Sequence, residues 1–495
     1  MHVSCGSLVE IILDPMKRLL IVLFGCFALA CTKEGLQENN NFYGYEGDSY
    51  NTITENPFIE TSEENVSTFS IDVDGASYSN ARRILMEENR LPPLDAIRTE
   101  EFINYFDFPY EHNSAEHPID VNGEVSLCPW DSSHKLVRIG IAGKYIPDAE
   151  LPSANYVFLI DVSGSMSNSD KLPLLKKGLI ATLDQMRPED RVAIVAYAGA
   201  DRVHLESTPV SQKETIKQAI SSLGAGGSTA GGAGIKKAYE IAENHKIVGG
   251  NNRVILGTDG DFNVGISSQE ELISLIEEKR ESGIFLTVLG FGMGNVRHGM
   301  LEQIANHGNG NYEYIDSEKQ LERVFIDKYA SFFTIAKDVK VQAIFNASIV
   351  KAYRLIGYEN RLLDNGDFED DSTDAGELGV NQKVTALYEI EPVVGSDFKN
   401  VPSFSILFRY KQPDEHVSKE LSLEIYDQGN TFAASTGSMK LASAVASFAL
   451  QLRDSPYKGN TSYSKIREWV SAAGLPDSDG SISEFITLTE RAEQL

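Results

Sequence analysis

Between residues 155 and 330 the chain alternates between two patterns. Apolar runs of strand length lie at 156–161, 191–197, 253–258, 284–291 and 311–315. Helical patterns lie between and after them, at 171–185, 213–222, 234–245, 269–281, 300–305 and 318–329. Near-continuous Val, Ile and Leu in a strand predict a sheet buried on both faces. Strand–helix alternation predicts a parallel, doubly wound α/β domain. In such domains ligands sit beyond the carboxyl ends of the strands, where the strand order reverses.

After about residue 335 the hydrophobic period shortens to two. The segments 339–345, 384–390, 403–410 and 421–426 alternate apolar and polar, which predicts an antiparallel, sandwich-like β domain. Helical patterns return from Ser438, at 441–452 and near 463–472. Upstream, a β-like run at 69–73 precedes a helical pattern at 77–88, stopped by Leu91-Pro92-Pro93. Strand candidates follow at 121–127 and 135–142. The expected organisation is an export signal over 1–31, a flexible tether over 32–65 and a companion region over 66–150. The α/β domain follows over 151–332, and a β-rich domain with terminal helices over 333–495.

The export signal rests on Met16-Lys17-Arg18 followed by a short apolar run at 19–30. Twelve apolar residues fall short of the roughly 20 that span a bilayer as a helix, and match a signal-peptide h-region. Glu10 and Asp14 are out of place in an n-region, so Met16 is the preferred start. Ala28-Leu29-Ala30-Cys31 resembles a bacterial lipobox, which would lipidate Cys31 as the mature N-terminus. Leu23-Phe24-Gly25-Cys26 also fits, but leaves too short a signal from Met16. The expectation is a membrane-anchored lipoprotein of the cell envelope, facing the periplasm or carried on the outer membrane. A soluble secreted protein cut near Ala30 is the alternative. The tether, rich in Asn, Glu, Gly, Ser and Thr, has the composition of a disordered linker.

Composition narrows the functions. Lys plus Arg is 44 against 72 Asp plus Glu, a formal charge of −28. That excess argues against a nucleic-acid binder, which needs a basic face to displace counterions. Of Cys5, Cys26, Cys31 and Cys128, only Cys128 would survive processing unmodified. No internal disulfide and no cysteine–histidine zinc site is expected. Cys128 reads as a small buried apolar residue.

The chemistry is carried by three segments at the predicted carboxyl edge. The first α/β strand runs into Asp161-Val162-Ser163-Gly164-Ser165, an Asp-x-Ser-x-Ser turn. A glycine-rich loop, Gly226-Gly227-Ser228-Thr229-Ala230-Gly231-Gly232, places Thr229 just before a helix. A later strand ends in Thr258-Asp259. Asp161, Ser163, Ser165, Thr229 and Asp259 are all hard oxygen donors. They suit a small divalent cation such as Mg²⁺ or Mn²⁺, which takes one or two carboxylates and leaves positions for water or a partner's oxygen. Neutral hydroxyls as direct ligands leave such an ion electron-poor and receptive to a partner's carboxylate.

These residues resemble the von Willebrand factor type A family and its metal-ion-dependent adhesion site. The resemblance implies Ser163, Ser165 and Thr229 as direct ligands, with Asp161 and Asp259 often acting through water. It implies an α/β, doubly wound, mostly parallel sheet with a flanking antiparallel β-sandwich-like domain and a helical C-terminal segment. Phe69-Ser70-Ile71-Asp72-Val73-Asp74, Pro129-Trp130 and Arg354-Leu355-Ile356-Gly357-Tyr358 extend the likeness to a bacterial lipoprotein subfamily with a companion region and a C-terminal region of unknown function. The loop around Thr229 is richer in glycine than many type A loops.

Weaker signals favour structural readings. The acidic run 364–377 holds seven acids in fourteen residues and reads as a solvated, mobile loop rather than a calcium site. Asp477-Ser478-Asp479-Gly480 begins like an EF-hand loop, but Leu475 and Ile486 fall at its essential ligand positions. Asp261 reads as a turn carboxylate on a solvated loop. Asp72 and Asp74 are expected to hydrogen-bond within the fold. Gly290, Gly292 and Gly294 miss the dinucleotide spacing and read as a strand-to-helix turn. No nucleotide loop and no nucleophile–base pair is legible, so no catalytic residue is assigned and the chain is not expected to be an enzyme. The expected function is a divalent-metal-dependent protein-binding module whose partner offers an acidic side chain. The alternatives are a substrate-recognition subunit beside a separate ATPase or enzyme, and a module whose metal is purely structural.

Overall fold

The computed structural model describes residues 47–198, 200–226, 234–260, 269–395 and 401–495. At its centre is a six-stranded sheet in the order Tyr312–Ile315, Phe285–Phe291, Asn251–Thr258, Ala154–Asp161, Arg191–Ala198, Ala200–Pro209. The first five strands are parallel, and the last pairs antiparallel at the edge. Every residue of Ala154–Asp161 is buried. Tyr156, Phe158 and Ile160 enter one core with Leu175, Leu179 and Leu183. Val157 and Leu159 enter the opposite core with Ile235, Ala238 and Tyr239. Period-two alternation thus supplies two apolar faces, and helices cover both. The chain turns from Ala154–Asp161 to its neighbour Arg191–Ala198, then crosses to Asn251–Thr258 on the other side. The strand order therefore reverses at the carboxyl end of Ala154–Asp161.

The two sheets of a sandwich draw strands from both sides of this α/β unit. One sheet orders Ile59–Glu60, Val350–Ile356, Lys383–Pro392, Lys135–Gly143, Ile119–Leu127. The other orders Leu362–Leu363, Val66–Ser70, Thr334–Phe345, Pro402–Lys411, Lys419–Tyr426, with Gly376–Gly379 also paired to Thr334–Phe345. All pairings are antiparallel. Phe69, Ile139, Val341, Tyr353, Tyr388 and Phe408 share the core between them.

Helices Gly437–Leu452, Tyr463–Ala473 and Ser481–Gln494 cover the outer face of the first sheet, with Ala76–Arg83 and Thr99–Asn104. Leu136 and Leu387 of the sheet meet Phe102, Phe448 and Phe485 there. Cys128 is buried in this layer, and burial pushes its thiol well above the usual range. Among the described residues no helix is long and apolar enough to cross a membrane.

Two expectations are corrected. The described part of the expected tether is packed: Ile59–Glu60 pairs with Val350–Ile356, buried Asn56 donates to the Leu355 and Gly357 carbonyls at 3.1 and 2.8 Å, and Thr61 donates to the Val350 carbonyl at 2.6 Å. The acidic run, expected as a solvated, mobile loop, is fastened to the sandwich by specific bonds, while Asp364, Glu369 and Asp370 stay exposed. Asp364 caps a short helical turn, Asn365–Phe368, and Phe368 is buried. The cations that hold it arrive from distant strands. Lys340 donates to the Asp367 carbonyl at 2.9 Å, Lys411 to the Asp371 carbonyl at 2.6 Å, and Arg409 pairs with Asp371 at 3.1 Å. Local charge counting misses partners of that kind.

Candidate metal centre

Asp161 ends its strand with zero exposure, and the Ser163 backbone N–H donates to its Oδ1 at 2.8 Å. The chain then makes a tight helical turn, Gly164–Ser167, whose Met166 is fully buried in the core beneath. With Met166 anchored downwards, the Oγ atoms of Ser163 and Ser165 lie together at 2.9 Å. From the adjacent strand, the Thr258 hydroxyl donates to Asp161 Oδ2 at 3.4 Å and accepts from the Gly260 N–H at 3.2 Å. Burial pushes the Asp161 carboxyl up to about 6, and the nearby Asp259 charge adds to this, against hydrogen bonds from Ser163 and Thr258.

Asp259 is also fully buried. Its Oδ2 accepts from Lys171 Nζ at 2.9 Å. Its Oδ1 has no hydrogen-bond partner among the described residues. A buried acceptor left bare costs about 1–3 kcal/mol, more when charged. No cluster of three or more His, Cys, Asp or Glu suited to a metal occurs among the described residues. A cation here would therefore rest on two carboxylates and hydroxyls, which is the donor chemistry of a Mg²⁺-type site. The bare oxygen, the second buried carboxylate and the paired serine hydroxyls fit that group.

The site's rim is built from further off. Gly260 has a φ of +96°, and a side chain there would meet Val296 Cα at 2.6 Å. The loop carrying Val296 is pinned by Asp48, whose Oδ1 accepts the Gly294 and Val296 N–H groups at 2.8 and 3.1 Å. Gly226 N–H donates to the Val162 carbonyl at 2.8 Å, tying the start of the glycine-rich loop to the serine turn. Thr229, Asp261 and Cys31 lie outside the described residues.

Comparison with known proteins agrees with this architecture. Residues 155–326 match the von Willebrand factor type A domain, 45–138 match a von Willebrand factor model, and 330–495 match the C-terminal region of the uncharacterised protein YfbK. The chain is 37% identical to YfbK of Escherichia coli over 468 residues, covering 90% of this chain and 81% of that one. The chain belongs to the YfbK family. Against human inter-alpha-trypsin inhibitor heavy chain H3, this YfbK-family chain is 30% identical over 178 residues. That match spans 34% of the present chain and only 20% of the human one. A von Willebrand factor type A protein of Catenulispora acidiphila superposes with a TM-score of 0.43 at 16% identity, over 76% of this chain and 91% of that one.

In the YfbK-family chain, Asp161, Ser163 and Ser165 share one turn, and the Asp259 charge acts on Asp161 from the end of the adjacent strand. Lys171 was not anticipated. A signal for it exists: Lys171 immediately precedes the Leu172–Gln185 helix, where the positive end of the helix dipole disfavours a cation. A lysine at that position calls for a compensating carboxylate, and Asp259 supplies it.

Proposed function

We propose that this chain is a divalent-cation-dependent protein-binding module, using Asp161, Ser163, Ser165, Thr229 and Asp259 as a metal-ion-dependent adhesion site. The observation that carries the reading is the bare, fully buried Asp259 Oδ1 beside a second buried carboxylate and a pair of hydroxyls. Asp161 would fix the serine turn through its bond from the Ser163 N–H, while Ser163, Ser165 and Thr229 offer neutral oxygens. Asp259 would present its free oxygen. A bound Mg²⁺ or Mn²⁺ would supply an open coordination position for an acidic side chain of a protein partner. With Cys31 as a lipid anchor, the module would act at the cell envelope.

The test is titration of the purified protein with Mn²⁺ by calorimetry, followed by envelope pull-downs in Mg²⁺, in EDTA and with Asp161→Ala. Saturable Mn²⁺ binding abolished by Asp161→Ala is expected, and it should weaken as pH falls below about 6, where a proton occupies Asp161. A partner held only by metal-loaded wild type supports the reading. A partner retained in EDTA overturns it.

A further inference from the structure

Lys171 reaches the site under three constraints. Its ammonium lies 2.9 Å from Asp259 Oδ2, with the lysine side chain 7% and the aspartate 0% exposed. Its stem runs beneath Gly292, where an added Cβ would come within 2.0 Å of Lys171 Cε. Gly292 itself has a φ of +75°, which favours glycine. The lysine also stands at the start of a helix, where the dipole mildly disfavours a cation and the Asp259 carboxylate offsets it. The pair is thus fixed by the strand end, the glycine turn and the helix start together.

From this geometry we propose that Lys171 is a built-in cation that tunes the metal centre. The inference rests on the metal-site reading above. Lys171 occupies one oxygen of Asp259 and leaves one free, so the carboxylate can offer a single oxygen. It also sets the charge. Asp161 and Asp259 with Lys171 leave the empty site one unit negative, and a divalent ion makes it one unit positive. Without the lysine the loaded site is neutral. Lys171 therefore weakens capture of the ion and strengthens the loaded site's pull on a carboxylate, because both interactions run through a poorly solvated space. It is a specificity-determining residue that acts through Asp259 and the field of the site.

Lys171→Met and Lys171→Gln separate these effects. The glutamine keeps an N–H for Asp259 Oδ2 and serves if the methionine variant does not fold. Mn²⁺ affinity is read by calorimetry and electron paramagnetic resonance, and acetate is titrated as the carboxylate probe by water-proton relaxation of the bound Mn²⁺. Both variants should bind Mn²⁺ about tenfold more tightly or better, and acetate more weakly, than wild type. Mn²⁺ binding at wild-type strength in both variants, with Asp161→Ala unable to bind, overturns the role of Lys171 and leaves the metal site standing. Failure of wild type to bind Mn²⁺ overturns the metal site, and this proposal with it.

Discussion

At the scale of single residues, burial divides the titratable groups into those that resist acid and those that resist base. His298 is buried, its Nδ1 lies 2.8 Å from the Tyr312 hydroxyl, and its ring stacks on Tyr50 at 5.0 Å. Burial, with the Arg83 charge nearby, lowers it to about 3. The unfolded chain binds a proton at His298 near pH 6.5, so the unfolded state holds more protons between about pH 6.5 and 3. The stability from this residue is present above pH 6.5 and is lost as pH falls through that window. Denaturant unfolding at pH 7, 6 and 5 should show wild type losing about 1.4 kcal/mol per pH unit more than His298→Gln below pH 6.5. Parallel slopes would refute this. Glu100 has the opposite sense. Burial, then the Glu359 charge, raises it to about 7, so its contribution is present below the ordinary carboxylate range and is lost as pH rises through 7.

At the scale of elements, the turn after Phe285–Phe291 joins the rim of the site to its core. Gly292 and Gly294 both have positive φ, at +75° and +89°. A Cβ at Gly294 would meet nothing within 4 Å, whereas one at Gly292 would collide with the Lys171 stem. Gly294→Ala should therefore cost only the backbone strain, about 1 kcal/mol, and Gly292→Ala about 2–3 kcal/mol. Calorimetric melting compares the two, and equal losses would remove the steric part of the argument.

The same elements show what a sequence reveals. Strands of the central sheet were legible because both faces are buried and their apolar runs are unbroken. The edge strand Ala200–Pro209 was not anticipated, because its sequence, ADRVHLESTP, carries six polar or charged residues before its final proline. Helices are expected from Ser438 to the end, but the sequence pattern does not set Ser481–Gln494 apart as an element of its own. Asp477, weighed only as a cation ligand, instead accepts the Ile482 and Ser483 N–H groups at 2.9 and 3.0 Å at that helix's first turn. Asp161, Ser163, Ser165 and Asp259 were legible because strand ends deliver them. The Lys171–Asp259 pair was not, since it closes a separation of 88 residues.

At the scale of the molecule, buried ion pairs stitch the α/β unit to its surroundings. Arg82 donates to both oxygens of Asp316, at 2.8 and 2.6 Å, and to Glu484 and the Tyr105 hydroxyl, each at 2.8 Å. Those partners come from the α/β unit, the last helix and the Thr99–Asn104 helix end. Asp72 and Asp74 make a second seam: Asp72 Oδ2 accepts from Arg361 at 3.0 Å, and Asp74 Oδ1 accepts from the Tyr312 N–H at 2.9 Å. Removing Arg82 takes from the Asp316 side chain, 4% exposed, its one ion-pair partner among the described residues, although Glu484 keeps Lys319 and the Tyr105 hydroxyl keeps Gln320. Arg82→Met should therefore lower stability by about 3–5 kcal/mol, read as a shift in the denaturant midpoint. A loss below about 1 kcal/mol would show that these carboxylates find water instead.

The interleaved sandwich also imposes an order on synthesis. Thr68 on Val66–Ser70 bonds to Gln342 on Thr334–Phe345, 274 residues later. Lys135–Gly143 likewise waits for Lys383–Pro392. The α/β unit lies wholly between these partners and pairs its strands within itself. It can therefore close while Val66–Ser70 still has no mate and Lys135–Gly143 is paired only with Ile119–Leu127. Closure across that span carries an entropic cost that the local strand pairings of the α/β unit do not. Until it occurs, the first strands present open edges and bare apolar faces, the surfaces on which chaperones act and aggregation begins.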